Sequence, residues 1–288
     1  MRHRRLGPAH RSTPPAGERR STARRGVGAV VAVLTAVAAL VVIVQIAHPM
    51  ARPAAPAGRF GAGSPAPAAD TSRTPAPPAR LAPPAQPATL ASKLRTLPAG
   101  TGQVVIVHAP TAATTHATLE TFDKVGNGWR RALAPVPARI GVDGFSDRHR
   151  EGVPTTPVGM YSFGTTVYGI NPNPGVHSAY HRIVDGDWWD ENPSSPGYNT
   201  FRHGADPGGA SEALWQVVPQ YLYFAFITYN VPAKPGAGSG IFLHVGNGGP
   251  TLGCVSLGMP DLVDVLRWLD PAKHPRIVMA PDGELSRF

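Results

Sequence analysis

The apolar positions of this chain fall into three patterns. From Gly26 to Ala47 the sequence "GVGAVVAVLTAVAALVVIVQIA" runs without a charged residue. At about 1.5 Å per helical residue the run spans roughly 30 Å, a bilayer core, and it predicts a transmembrane helix. From His48 to about residue 95 proline and alanine dominate and large apolar residues are sparse. Such a chain buries too little surface to offset the entropy of ordering, which predicts a disordered, extended spacer. From about Thr89 onward apolar residues return in short runs rich in β-branched and aromatic side chains. They are "QVVIVHA" (103–109), "HATLETFD" (116–123), "ARIGV" (138–142), "GMYSFG" (159–164), "LWQVV" (214–218), "YLYFAFITYN" (221–230), "GIFLHV" (240–245) and "PRIVMA" (275–280). Their length and the Gly/Pro punctuation between them predict strands, with Asn127-Gly128 marking a hairpin turn. "MPDLVDVLRWLDP" instead has helical spacing: Pro260 suits a first turn, and Leu262, Val265, Leu266 and Leu269 share a face. The expectation is a mainly β domain, a sandwich or barrel-like sheet assembly with few helices, over residues 96–288. It follows a basic tail (1–25), a transmembrane signal-anchor helix (26–47) and a linker (48–95).

Charge orients the anchor. Eight arginines stand before the apolar run against one acid, Glu18. The positive-inside bias therefore places residues 1–25 in the cytoplasm and everything beyond Ala47 outside, on a single-pass cell-membrane protein. Cleavage after the apolar run would make the product secreted; the run is longer than the usual signal-peptide core of about 7–15 residues, which favours an anchor. The formal net charge of +9 invites a nucleic-acid reading. Its distribution removes that reading, because residues 101–288 carry thirteen cations against sixteen acids. The expected partners are the membrane, through the anchor, and a substrate on its outer side, with no nucleic acid.

The chain keeps a single cysteine, Cys254, ten residues after His244. A lone cysteine outside the membrane has no intramolecular disulfide partner and is either a buried inert residue or a reactive thiol. His244 ends an apolar strand, and a glycine-rich turn leads to Cys254, so the two side chains can meet. A thiol needs a base to become thiolate near neutral pH, and histidine suits that task. Gly253 permits close backbone approach, so amides at this point could face a developing oxyanion.

"FLHVGNGGPTLGCVSL", together with the upstream "REGVPTTPVGMYSFG" (150–164), resembles the catalytic domain of L,D-transpeptidases, the YkuD-like domain of bacterial cell-wall enzymes. The resemblance covers roughly residues 100–282. It matches His244 to the family's first histidine, Thr251 to the Ser/Thr of the signature, Gly253 to its glycine and Cys254 to its nucleophile. Leu252 stands where the family has a second histidine and Ser256 where it has Asn or Arg, and the loop from His244 to Thr251 is short. The resemblance implies a cysteine acyltransferase. His244 takes the Cys254 proton and the thiolate attacks the L,D amide of a peptidoglycan stem peptide. A second stem's amine then resolves the thioester into a 3→3 cross-link. Gly253 and Cys254 amides are the expected oxyanion donors, and the chemistry calls for no metal and no cofactor. Hydrolysis by the same dyad (an L,D-carboxypeptidase), a catalytically decayed wall-binding module and a thiol protease of another family are the competing outcomes.

The segment "DGDWWDENPSSPGYNTFRHG" (185–204) reads as an insert. Trp188, Trp189 and Tyr198, with Asn247 of the short loop, are the candidate substrate-binding residues, the aromatics either lying over a glycan or peptide or packing on the sheet. Its acids lack the paired His/Cys spacing of a metal site. His108, His116, His149, His177, His181 and His274 are expected to be structural or exposed.

Overall fold

The computed structural model describes residues 88–288. The basic tail, the apolar run and nearly all of the linker lie outside the described residues. Among the described residues no helix is long and apolar enough to cross a membrane.

The chain folds as a mainly β domain whose strands, in order, are β1 (Gln103–Ala109), β2 (His116–Val125), β3 (Gly128–Arg131), β4 (Val136–Arg139), β5 (Phe145–Ser146), β6 (Thr156–Pro157), β7 (Gly159–Gly169) and β8 (Ala179–Arg182). There follow β9 (Asp187–Asp190), β10 (Thr200–His203), β11 (Glu212–Ala213), β12 (Phe224–Ile227), β13 (Phe242–Val245) and β14 (Val255–Leu257), then helix α1 (Met259–Trp268) and β15 (Arg276–Pro281). The main sheet has ten strands. β3 and β8 hang from β2 and β7, and the other eight run β1-β15-β7-β12-β13-β14-β4-β2. A further pairing of β1 with β2 closes this circuit, so the sheet is a closed barrel rather than a sandwich.

Strand alternation explains which apolar residues go where. Val105 and Val107 of β1, Leu243 and Val245 of β13, and Val255 and Leu257 of β14 join the largest buried cluster, the barrel interior. Leu262, Val265, Leu266 and Leu269 of α1 pack into the same cluster, as their helical spacing predicts. The outer face of the wall is covered too. Val104 and Ile106 of β1 lie under Ala91 and Leu285, while Phe224 and Phe242 lie under Trp189, Leu214 and Tyr221. A strand covered on both faces reads as an unbroken apolar run, which is why "QVVIVHA" lacks the two-residue alternation of a half-exposed strand.

Several expectations need correction. "LWQVV" is not a strand: Leu214–Gln216 is a 3-10 turn, and the run is apolar because Leu214 packs into the outer aromatic layer. Of "YLYFAFITYN", Gln220–Leu222 is another 3-10 turn and Phe224–Ile227 alone is strand. The hairpin pairs Val125 with Gly128, so its turn residues are Gly126 and Asn127, one position earlier than expected. Ordered structure also begins ahead of residue 96. Leu90–Lys93 forms a 3-10 turn with Ala91 fully buried, and Thr96 N–H donates to the Phe288 carbonyl at 2.9 Å.

The 185–204 segment is architecture. β9 is the centre of a three-stranded sheet, β10-β9-β11. It is fastened by Asp187, fully buried, whose two oxygens meet His181 Nε2 at 2.8 Å and His203 Nδ1 at 2.7 Å and which accepts Val184 N–H at 2.9 Å. Burial raises the Asp187 pKa, but these three partners outweigh it and hold the carboxyl below its usual value. A lowered folded-state pKa contributes stability that is present above the unfolded value and lost as the pH falls through the folded one. Asp187→Asn is therefore expected to cost about 2–3 kcal/mol at neutral pH, from loss of charge-assisted bonds in a buried setting. The loss should disappear at strongly acidic pH. Thermal unfolding of both proteins across pH checks this, and equal melting temperatures at pH 7 would contradict it.

Candidate active site

β13 and β14 are parallel neighbours, with Leu243 opposite Val255 and His244 opposite Ser256. Leu243 and Val255 point into the barrel. Alternation therefore turns Phe242, His244, Cys254 and Ser256 outward on one face, beneath the aromatic layer. The cysteine and histidine ten residues apart in sequence are brought to the same face of adjacent strands.

The connection between them is pinned rather than loose. Thr251 N–H donates to the Ile140 carbonyl and Val142 N–H to the Thr251 carbonyl, both at 2.9 Å. The Thr251 hydroxyl donates to the Cys254 carbonyl at 2.6 Å and accepts Gly253 N–H at 3.2 Å. From the other side the Thr156 hydroxyl, buried and held by Gly141 N–H at 2.9 Å, donates to the Gly253 carbonyl at 2.8 Å. Two threonines thus clamp the peptide that carries the nucleophile. Gly253 has φ +147°, and a side chain there would lie 3.1 Å from the Thr155 carbonyl oxygen and from Ile241. Only glycine fits both the conformation and the space.

His244 is 6% exposed, and its Nδ1 lies 2.8 Å from the Val245 carbonyl. A carbonyl only accepts, so Nδ1 carries the hydrogen and Nε2 keeps its lone pair, the tautomer a base requires. Burial lowers the imidazole pKa to about 4, with the Val245 carbonyl pulling weakly the other way. The thiol donates to the Gly240 carbonyl at 3.2 Å and accepts Phe242 N–H at 3.4 Å. Burial raises its pKa far above the ordinary thiol value, Phe242 N–H opposes, and Glu212 and Glu191 raise it further. The resting pair is a neutral thiol and a neutral imidazole, and among the described residues no hydrogen bond joins them.

Two cavities meet at Cys254. One, of about 220 Å³, is lined by His244, Asn247, Gln220, Tyr221 and Thr251. The other, of about 300 Å³, is lined by His149, Glu151, Glu191, Ser239 and Gly240. Cys254, Glu212 and Leu252 border both, and Leu252, 81% exposed, stands at the rim between them. A groove of about 950 Å³ beside Leu90, Trp129 and Arg130 is larger but holds neither the thiol nor His244.

The second cavity is strongly acidic. Glu151 accepts the Ser239 hydroxyl at 2.9 Å and the Tyr198 hydroxyl, and Glu212 accepts the Tyr221 hydroxyl. The Glu191 carboxyl rests on Gly240, where an added side chain would lie 1.8 Å from its Oε1. Burial, then the charges of Glu212 and Glu151, push its pKa up to about 9.

No family model matches this chain, and no curated protein and no solved structure matches it. The site therefore stands on its own geometry.

Of the sequence-derived residues, Cys254, His244, Thr251 and Asn247 converge, Asn247 with its side chain accepting Gly249 N–H at 3.1 Å. Gly253 contributes through its conformation, because its N–H is committed to Thr251; of the two expected oxyanion amides, that leaves Cys254 N–H, which lies against its own sulfur. The aromatic substrate residues are corrected. Trp189 is 3% exposed and packed on Phe226 and Phe242, Trp188 packs edge-on against Trp215, and Tyr198 is 2% exposed; none lines either cavity. The sequence reading missed Thr156, Glu151, Glu212 and His149. Thr156 and Glu151 lie within the quoted "REGVPTTPVGMYSFG" and His149 directly before it, while Glu212 arrives from β11.

Proposed function

We propose that this protein is a cysteine acyltransferase of the cell envelope that acts on peptidoglycan stem peptides as an L,D-transpeptidase, tethered by its N-terminal anchor with the barrel outside the membrane. One observation carries the reading: a buried imidazole with Nδ1 tied to a carbonyl and a thiol on a doubly clamped loop share one outward face and one cavity. The thiol proton passes to His244 Nε2, sulfur attacks the donor carbonyl, and the C–N bond breaks with His244 returning that proton to the leaving amine. The Cys254 thioester is then resolved by a second nucleophile. The high thiol pKa fits a mechanism in which proton loss and attack are concerted, so no free thiolate waits in an oxidising compartment.

The test is acylation of the full chain by a carbapenem, whose strained amide adds its whole mass to an attacking thiol. One adduct on wild-type protein and none on Cys254→Ala is expected. A wild-type protein that never acquires the mass would favour the decayed, wall-binding reading.

A further inference from the structure

The thiol is flanked by two histidines, one in each cavity. His149, from the segment between β5 and β6, lines the acidic cavity with Cys254. Its ring abuts the nucleophile's own loop, since a side-chain carbon at Gly253 would lie 3.3 Å from His149 Cε1. The ring is fixed by the Thr155 hydroxyl at 3.2 Å from Nδ1 and by edge-to-face packing on Tyr229, with centroids 5.1 Å apart. Nε2 has no hydrogen-bond partner among the described residues. Burial lowers the imidazole pKa, opposed by Thr155 and by Glu151, so at neutral pH the ring is a neutral acceptor. Where the resembled signature carries a histidine, this chain has Leu252 turned to solvent, and His149 supplies an imidazole to the same loop from elsewhere in the fold.

Acyl transfer by a thioester needs proton handling twice, and His244 lines only the cavity on the other side of Cys254 from Glu151 and Glu191. A primary amine arrives as an ammonium and cannot attack until it loses a proton. Glu151, Glu191 and Glu212 crowd this cavity, so an entering ammonium relieves the mutual repulsion that holds a proton on Glu191, and a neutral imidazole beside them can take the ammonium's proton. We propose that the Glu-lined cavity is the route of the acyl acceptor, a primary ammonium, and that His149 receives its proton before it attacks the Cys254 thioester. The assignment rests on the acyl-transfer reading above and decides between amine and water as acceptor. The amine nitrogen forms a bond to the carbonyl carbon and the C–S bond breaks. Of the two protons the ammonium gives up, one goes to His149 and on to solvent, and one ends on sulfur as the thiol is restored.

The experiment loads Cys254 of the full chain with p-nitrophenyl acetate, then chases the acetyl-enzyme with ethylamine or with hydroxylamine, followed by intact mass. Ethylamine is protonated at neutral pH and needs a base; hydroxylamine is largely unprotonated. In His149→Gln the ethylamine chase should slow by about a hundredfold, with loading and the hydroxylamine chase within about threefold of wild type. Equal slowing of both chases would show a merely structural role, and an unchanged ethylamine chase would also overturn the proposal. Should His149→Gln fail to fold, Glu191→Gln tests the same route. It should slow the ethylamine chase about fivefold and spare hydroxylamine, as expected when a carboxyl that can ionise against an arriving ammonium is replaced by an amide that cannot, and no change there removes the cavity from the acceptor's path. Wild-type protein that never loads overturns the acyl-transfer reading itself, a result separate from these.

Discussion

Replacing His244 by glutamine is expected to slow carbapenem acylation of Cys254 by about a thousandfold, within the usual span for loss of a general base. The reason lies in two opposed environments. Burial keeps His244 unprotonated down to about pH 4, while the thiol, buried beside Glu212 and Glu191, resists ionising at neutral pH. Direct loss of the thiol proton to water is then rare, and the lone pair on Nε2 is the route that remains. The pH profile separates this from simple damage. Wild-type acylation should hold nearly level from pH 5 to 8 and fall as the pH drops through about 4, where the imidazole takes a proton. In His244→Gln the residual rate should climb about tenfold per pH unit, because hydroxide alone then makes thiolate. Parallel profiles for the two proteins would remove His244 from the role of base.

Among the glycines from Gly246 to Gly253, Gly253→Ala should be the most damaging. It places a side chain on a backbone at φ +147°, 3.1 Å from a carbonyl oxygen and 3.3 Å from the His149 ring. The expected cost is about 2–3 kcal/mol of stability, of the size seen for strained backbone with a packing clash. Acylation should fall by about a hundredfold or more, because the Thr156 and Thr251 clamps must loosen to relieve the clash, and sub-ångström placement of a nucleophile matters on that scale. Gly248→Ala, at φ +91° with nothing within 4 Å of the added carbon, is the matched control. It should cost about 1 kcal/mol and leave acylation nearly unchanged. If the two variants behave alike in melting and in loading, the loop is not the preformed device described above.

Much of this was legible in the sequence, for identifiable reasons. The helix was readable because Leu262, Val265, Leu266 and Leu269 bury one stripe, and the strands of the barrel wall because both faces are covered. That Cys254 and His244 line one cavity was readable because a short connection joins the parallel neighbours β13 and β14. Barrel closure was not, since it depends on β1 meeting β2 and β15 at once, and no local pattern records that. The insert left two readings open for a physical reason: Trp189 looks like a ligand-stacking residue, but the same large apolar area is what covers an outer barrel face. His149 and Glu151 sit together in one segment, but that Glu191 and Glu212 meet them is purely tertiary.

The parallel pairing of β1 with β15 bears on how the molecule comes into being. The first and last strands lie side by side, Val104 opposite Arg276, with the whole intervening chain as the loop to be closed. Contacts so distant in sequence make folding slow, because the loop entropy must be met before the contact returns anything. A polypeptide emerging N-terminus first exposes Cys254 before β15 is present. Until the barrel shuts, that sulfur has the acidity of an ordinary thiol in an extended peptide and none of the shielding that later suppresses it. The interval between the appearance of Cys254 and the docking of the last strand is thus the period in which this sulfur is most open to oxidation and mispairing with a second chain, and a helper that shortens it would protect the yield of folded molecules more than their stability.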